Sequence, residues 1–314
     1  MNAPTGPIRF LLSAILVVGS TLFAVPATAQ LDKPDLIQSF PVGHTPTFLA
    51  FDGANIWATN FSDNTVTKLR TSDGGNLGTF AVGLGPQWIV TDGTNIYVSN
   101  TRTCSVTKLR ASDGAFLATF DVYCNPEGLA WDGANIWVPS FNNNIVSKMR
   151  GSDGALLGAF AVGVHPLGVA FDGANIWVAN SGSNTLTKLR ASDGSLVGTI
   201  PVGLYPYSLA FDGVKMWVTN NDDNSVTAVR ARDAKILGTF PVGRSPYGLA
   251  FDGANVWVSV SDIDRVKKLS PDHGIILHSY LVEDEPQGII FDGTSIWVAN
   301  SQSNTVSKIT RRAP

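Results

Sequence analysis

The sequence predicts an all-β protein: a seven-bladed β-propeller of four-stranded antiparallel blades, closed by the N-terminal strand completing the last blade. Three observations carry this. A Phe-Asp-Gly tripeptide, or a close variant, recurs every 40 residues, starting at Phe51, Thr91, Trp131, Phe171, Phe211, Phe251 and Phe291. An Ile-Trp-Val-like triplet follows each one, centred on Trp57, Tyr97, Trp137, Trp177, Trp217, Trp257 and Trp297. The ends are complementary, because LIQSFPVG at residues 36–43 matches a fourth strand and the last repeat runs out on its third, at Ile309. A fixed period of this length marks a repeat architecture.

Within one repeat, four short apolar or β-branched runs alternate with turn residues. In the fourth repeat they are residues 167–171, 175–179, 185–189 and 196–202. The separators are Asp172-Gly173, an Asn-rich stretch to Asn184, Ser192-Asp193-Gly194, and the step from Gly203 to Pro206. Asp-Gly and Asn-rich turns between such runs signal antiparallel hairpins. No stretch of ten residues has a helical period. Four strands per repeat, repeated radially, make propeller blades.

Residues 1–29 read as a secretory signal, with residues 30–314 forming the propeller. Arg9 gives a positive start, residues 10–25 are apolar, and Pro26-Ala27-Thr28-Ala29 supplies the small residues of a cleavage site. An exported protein, periplasmic or extracellular, with no membrane span after cleavage, is the expectation. Losing Arg9 leaves 21 basic against 25 acidic residues, a net charge of −4. That balance argues against a nucleic-acid partner. A monomer is expected.

Lys-Leu-Arg, or Lys-Met-Arg, closes the third strand at Lys68/Arg70, Lys108/Arg110, Lys148/Arg150 and Lys188/Arg190. It reads as a solvated strand with a local ion pair to the following Asp73, Asp113, Asp153 or Asp193; the alternative is a basic ring for phosphate. The two cysteines, Cys104 and Cys124, fall in loops that open on the same face. An oxidising compartment then favours a disulfide between them.

The run GTIPVGLYPYSLAFDG at residues 198–213, then MWVTN at 216–220 and NSVT at 224–227, is similar to the YVTN-type propeller repeat family. The resemblance spans residues 36–309. It implies the propeller fold and an exported location. It implies no shared catalytic set, since members include surface-layer, periplasmic and binding proteins.

Function is sought where repeats differ. The inter-blade loops, each ending in Pro, and the loops between second and third strands vary; the opposite turns are nearly uniform. Variation on one face is how a scaffold with one binding face looks. At the channel mouth the ligand-binding candidates are Glu127, Tyr207, Tyr247, Arg244, His165, His44 and Trp88, aromatics with a few polar groups that suit a small ligand, peptide or protein. In the sixth repeat and after it, Asp262, Asp264, Asp284 and Glu285 form an acidic sector. It reads as a solvated patch, a site for a cationic partner, or a Ca²⁺ or Mg²⁺ site. No catalytic motif appears, so the leading expectation is an exported binding or interaction scaffold without a certain cofactor. The alternative is a metal-assisted lyase or hydrolase resembling virginiamycin B lyase-type propellers.

Overall fold

A computed structural model of the protein describes residues 35–310. The expected leader lies outside them. The described chain forms seven four-stranded antiparallel sheets, each built from strands consecutive in sequence except the last. In that sheet Leu36–Pro41 pairs with Thr305–Thr310, from Leu36 opposite Thr310 to Pro41 opposite Thr305. The ring is closed by its own N-terminal strand, as the complementary ends predict. Among the described residues the one helical segment is a short 3₁₀ turn at Ser261–Ile263, and no helix is long and apolar enough to cross a membrane.

Each blade is held by the turn chemistry that recurs in its own repeat. In the fourth blade, Asp172 Oδ1 accepts from the backbone N–H groups of Ala174 and Asn175, at 2.9 and 2.6 Å. Its Oδ2 accepts from Trp177 Nε1 at 2.8 Å. Burial works to raise the Asp172 pKa, but the indole and the turn donors outweigh it and hold the carboxyl below its ordinary range. One carboxylate therefore caps a turn and fixes a fully buried indole. The second repeat has Tyr97 instead, whose hydroxyl donates to Asp92 Oδ2 at 2.9 Å.

Blades are joined by the lysines. Lys188 lies 4.8 Å from the centroid of the Trp177 ring and donates to Ala231 O of the next blade at 2.6 Å. Lys68 does the same to Ala111 O, and Lys308 to Thr71 O across the closure. These lysines are buried, which corrects the expectation of a solvated pair. Only the arginine half is exposed; Arg70 and Asp73 sit 2.9 Å apart, a solvent-screened contact that adds little stability. The fifth repeat has Ala228 in place of the lysine, and Lys215 reaches Pro271 O instead.

A second tie lies on the Pro-loop face. Asn64, Asn144, Asn184, Asn224 and Asn304 sit in left-handed backbone, and so does Asp264. Each side chain accepts from a backbone N–H in the next inter-blade loop, that of Gly85, His165, Tyr205, Ser245, Thr45 and Glu285 respectively, at 2.9–3.1 Å. These receiving residues are left-handed too, a conformation costing a non-glycine residue about 1–2 kcal/mol. At the seventh position stands Cys104. It is bonded to Cys124, with Cα atoms 4.2 Å apart, so a covalent link replaces the amide clamp.

Removing the link through Cys104→Ser and Cys124→Ser should cost about 3 kcal/mol in the chain-entropy model. Cys104→Asn with Cys124→Leu should recover part of this, because the amide rebuilds the clamp used elsewhere. Denaturant titration measures both; equal midpoints for the two double variants would contradict the clamp.

Candidate functional site

The central channel is filled at its mouth. On the innermost strands, Gly168 and Gly248 press against the neighbouring strand. An added Cβ would lie 2.2 Å from Tyr207 O and 2.4 Å from Gln287 O respectively. At the same position the first two blades carry Phe48 and Trp88, which stack with centroids 3.6 Å apart. Tyr207 packs 5.9 Å from Trp88, and Tyr247 meets Tyr207 edge-on at 4.9 Å. Gln87 Nε2 donates to the Tyr207 hydroxyl at 3.4 Å, bridging blades two and five. Trp88 thus fills space in an aromatic plug.

Glu127 sits against this plug. Burial among the rings pushes its carboxyl up to about 8. The Trp88 indole N–H beside it favours the ionised form, yet falls short of hydrogen-bond geometry and is left without a partner. Glu127 keeps partial solvent contact, so its acid group is recessed but reachable. Burial and the charges of Asp222 and Glu127 raise the pKa of Tyr205, which marks Tyr205 as a neighbour overlooked among the candidates.

Beside Glu127 an open depression of about 580 Å³ is lined by Gln87, Arg102, Phe61, Asn125 and the disulfide. The third blade, which forms one wall, is the most irregular. Its innermost strand is reduced to Ala130–Trp131, and Pro126 meets Ser140 only through an isolated bridge. Ser140 stands where five of the other six repeats have Asn, and Tyr123 where most have Gly. In the fourth repeat the Asn180 side chain accepts from the Gly163 N–H at 3.1 Å. Ser140 Oγ instead donates to Cys124 O at 2.7 Å. The cost is the Ser147 hydroxyl, buried without a partner, whereas Asn180 satisfies its counterpart Thr187 at 2.9 Å.

The other candidates lie elsewhere. His44 is exposed and its Nδ1 contacts Asp63 Oδ1 at 2.8 Å. It shares a separate polar depression with Glu285. His165 stacks on Phe141 at 4.4 Å. Arg244 is exposed on the rim, 3.6 Å from Asp262 Oδ2. The acidic candidates do not converge. Asp264 serves as a loop clamp, and Glu285 Oε2 accepts from Ser301 at 2.7 Å. Among the described residues, no three His, Cys, Asp or Glu side chains gather in a way that could hold a metal ion.

No family model matches the chain, and no curated protein matches it. Solved structures do. A streptogramin B lyase structure aligns with a TM-score of 0.77 at 17% identity, covering 88% of this chain and 98% of that one. Hydrazine synthase of Kuenenia stuttgartiensis aligns at 0.75 and 19% identity, over 86% and 96%. Virginiamycin B lyase of Staphylococcus aureus aligns at 0.75 and 17% identity, over 88% and 99%. At these identities the likeness establishes the seven-bladed propeller fold and nothing finer.

The raised Glu127 pKa sets a pH dependence. The folded chain holds a proton that the unfolded chain releases near 4.5. This contribution is fully present below that pH, is lost as pH rises towards about 8, and is level above. Glu127→Gln should match the wild type at pH 4 and exceed its stability at pH 9 by about 1–3 kcal/mol. Chemical denaturation at both pH values checks this; no gain at pH 9 would show an ordinary carboxyl.

Proposed function

We propose that the protein is an exported binding scaffold whose ligand site is the depression between the second and third blades. The observation that supports it is Glu127, a recessed carboxyl at the edge of the aromatic plug, held protonated at neutral pH by burial. A strongly perturbed acid in a concave setting is a candidate for a functional site. A neutral carboxylic acid there is a hydrogen-bond donor, and the Gln87 amide adds both donor and acceptor. The departures from the repeat gather in the same sector: the disulfide, Tyr123, Ser140 and the shortened strand. The disulfide fits an oxidising, exported setting.

A second reading follows from the same acid. A carboxyl titrating near 8 is suited to proton transfer at neutral pH. In an elimination of the kind named by the lyase structures sharing this fold, Glu127 would protonate a leaving group. Binding leads because, among the described residues, no second acid, base or nucleophile is hydrogen-bonded to the Glu127 carboxyl.

A thermal-shift screen of small polar compounds, followed by amide-shift mapping of the hits, separates the readings. Hits should map to Gln87, Asn125 and Glu127, and Glu127→Ala should weaken them about tenfold or more, the worth of a lost buried hydrogen bond. Hits mapping to the Asp-Gly turn face would overturn the assignment. Consumption of a hit during incubation, abolished in Glu127→Gln, would favour the proton-transfer reading.

A further inference from the structure

Arg102 is the only basic residue at its loop position in the seven repeats; the others are Ser62, Asn142, Gly182, Asp222, Asp262 and Gln302. Its guanidinium stacks over the Phe61 ring at 4.6 Å, which ties the loop of the first blade to that of the second. The repeat arginines Arg70, Arg110, Arg150, Arg190 and Arg230 each have an Asp three residues on, within 3.2 Å. No carboxylate lies within 4.0 Å of Arg102 in the described structure, a state it shares only with Arg265 among the described arginines.

The surrounding backbone makes room for it. The left-handed residue beneath is Gly85, where six repeats carry a side chain. A Cβ there would lie 2.8 Å from Thr101 Oγ1 and 3.0 Å from Arg102 Cγ. The guanidinium is thus oriented by an aromatic plane and left unpaired at the edge of a depression whose other acid is neutral. Across the ring, the equivalent loops of the fifth and sixth blades carry Asp222 and Asp262.

We infer that the depression takes a small organic carboxylate, its anionic group paired with Arg102 and its polar body meeting Glu127 and Gln87. This rests on the site proposed above and adds the ligand's charge. Guanidinium forks match carboxylate oxygens two at a time. A protonated Glu127 can donate to the same ligand without repelling it. The groups lining the depression that carry or change charge are Arg102 and Glu127, with Tyr205 a neighbour of Glu127; Arg102 stays cationic, and Tyr205 titrates above its usual range.

The test uses the full exported chain and three probes: benzoate, benzamide and inorganic phosphate, followed by amide shifts. Benzoate should perturb Arg102, Asn125 and Glu127 saturably, and bind about tenfold or more tightly than benzamide, the scale of a charge-assisted pair. Arg102→Gln should lose that margin, Arg102→Lys should keep part of it, and Arg265→Gln should change nothing. Raising the pH from 6 to 9 should weaken benzoate in the wild type and not in Glu127→Gln. Equal binding of benzoate and benzamide overturns the inference, as does full benzoate binding by Arg102→Gln. Phosphate bound where benzoate is not would overturn the carboxylate assignment. If screening hits still depend on Glu127 while benzoate ignores Arg102, the site stands and its anion preference falls.

Discussion

Everything in this ring hangs on one carboxylate used twice. The turn Asp satisfies two backbone donors and an indole N–H at once, as Asp172 does for Trp177. The indole then offers its face to a lysine that reaches the next blade. Each lysine brings a charge into a buried place, which is tolerable because backbone carbonyls and a π-face replace its water. Six such assemblies among the described residues stiffen the ring. The second and fifth repeats show that the scheme, not the residue, is retained: a tyrosine hydroxyl replaces the indole, and Lys215 replaces the missing lysine from another strand.

That stiffness shapes what the protein can do. With every second-to-third loop clamped to the next inter-blade loop, the Pro-loop face is a set of fixed rims. Specific chemistry then needs a place where the repeat is broken and repaired. Under the proposed function, the third blade is that place. A disulfide substitutes for a clamp, a serine for an asparagine, a tyrosine for a glycine, and the innermost strand is cut short. The break leaves Glu127 between an aromatic plug and a depression. A preorganised site on a rigid support loses little entropy on binding.

The fold was legible in the sequence because period, turn residues and complementary ends are local properties that repeat. The disulfide was legible because loop order places Cys104 and Cys124 on one face. The lysines were not. Lys68 and Arg70 share one strand face, and only the packing of the next blade separates a buried group from an exposed one. The acidic sector looked like a cation site because a count of carboxylates ignores their backbone duties; Asp264 is a clamp. Glu127, Tyr207 and Tyr247 each follow an inter-blade proline and Trp88 lies one residue further on, and the packing brings these residues together. Arg102 and Phe61 were missed, since the absence of a partner is a property of three dimensions. The signal available was that Arg102 alone is basic at its loop position.

The central claim is that burial against the plug keeps Glu127 protonated at neutral pH. The chain contains only three glutamates, Glu127, Glu283 and Glu285. Carboxyl ¹³C labelling of glutamate therefore gives a spectrum that Glu127→Gln assigns in one step. The structure predicts that the Glu127 signal titrates with a midpoint near 8. A midpoint in the ordinary range, about 4–5, would mean an open, solvated carboxylate, and the account of this site would fail.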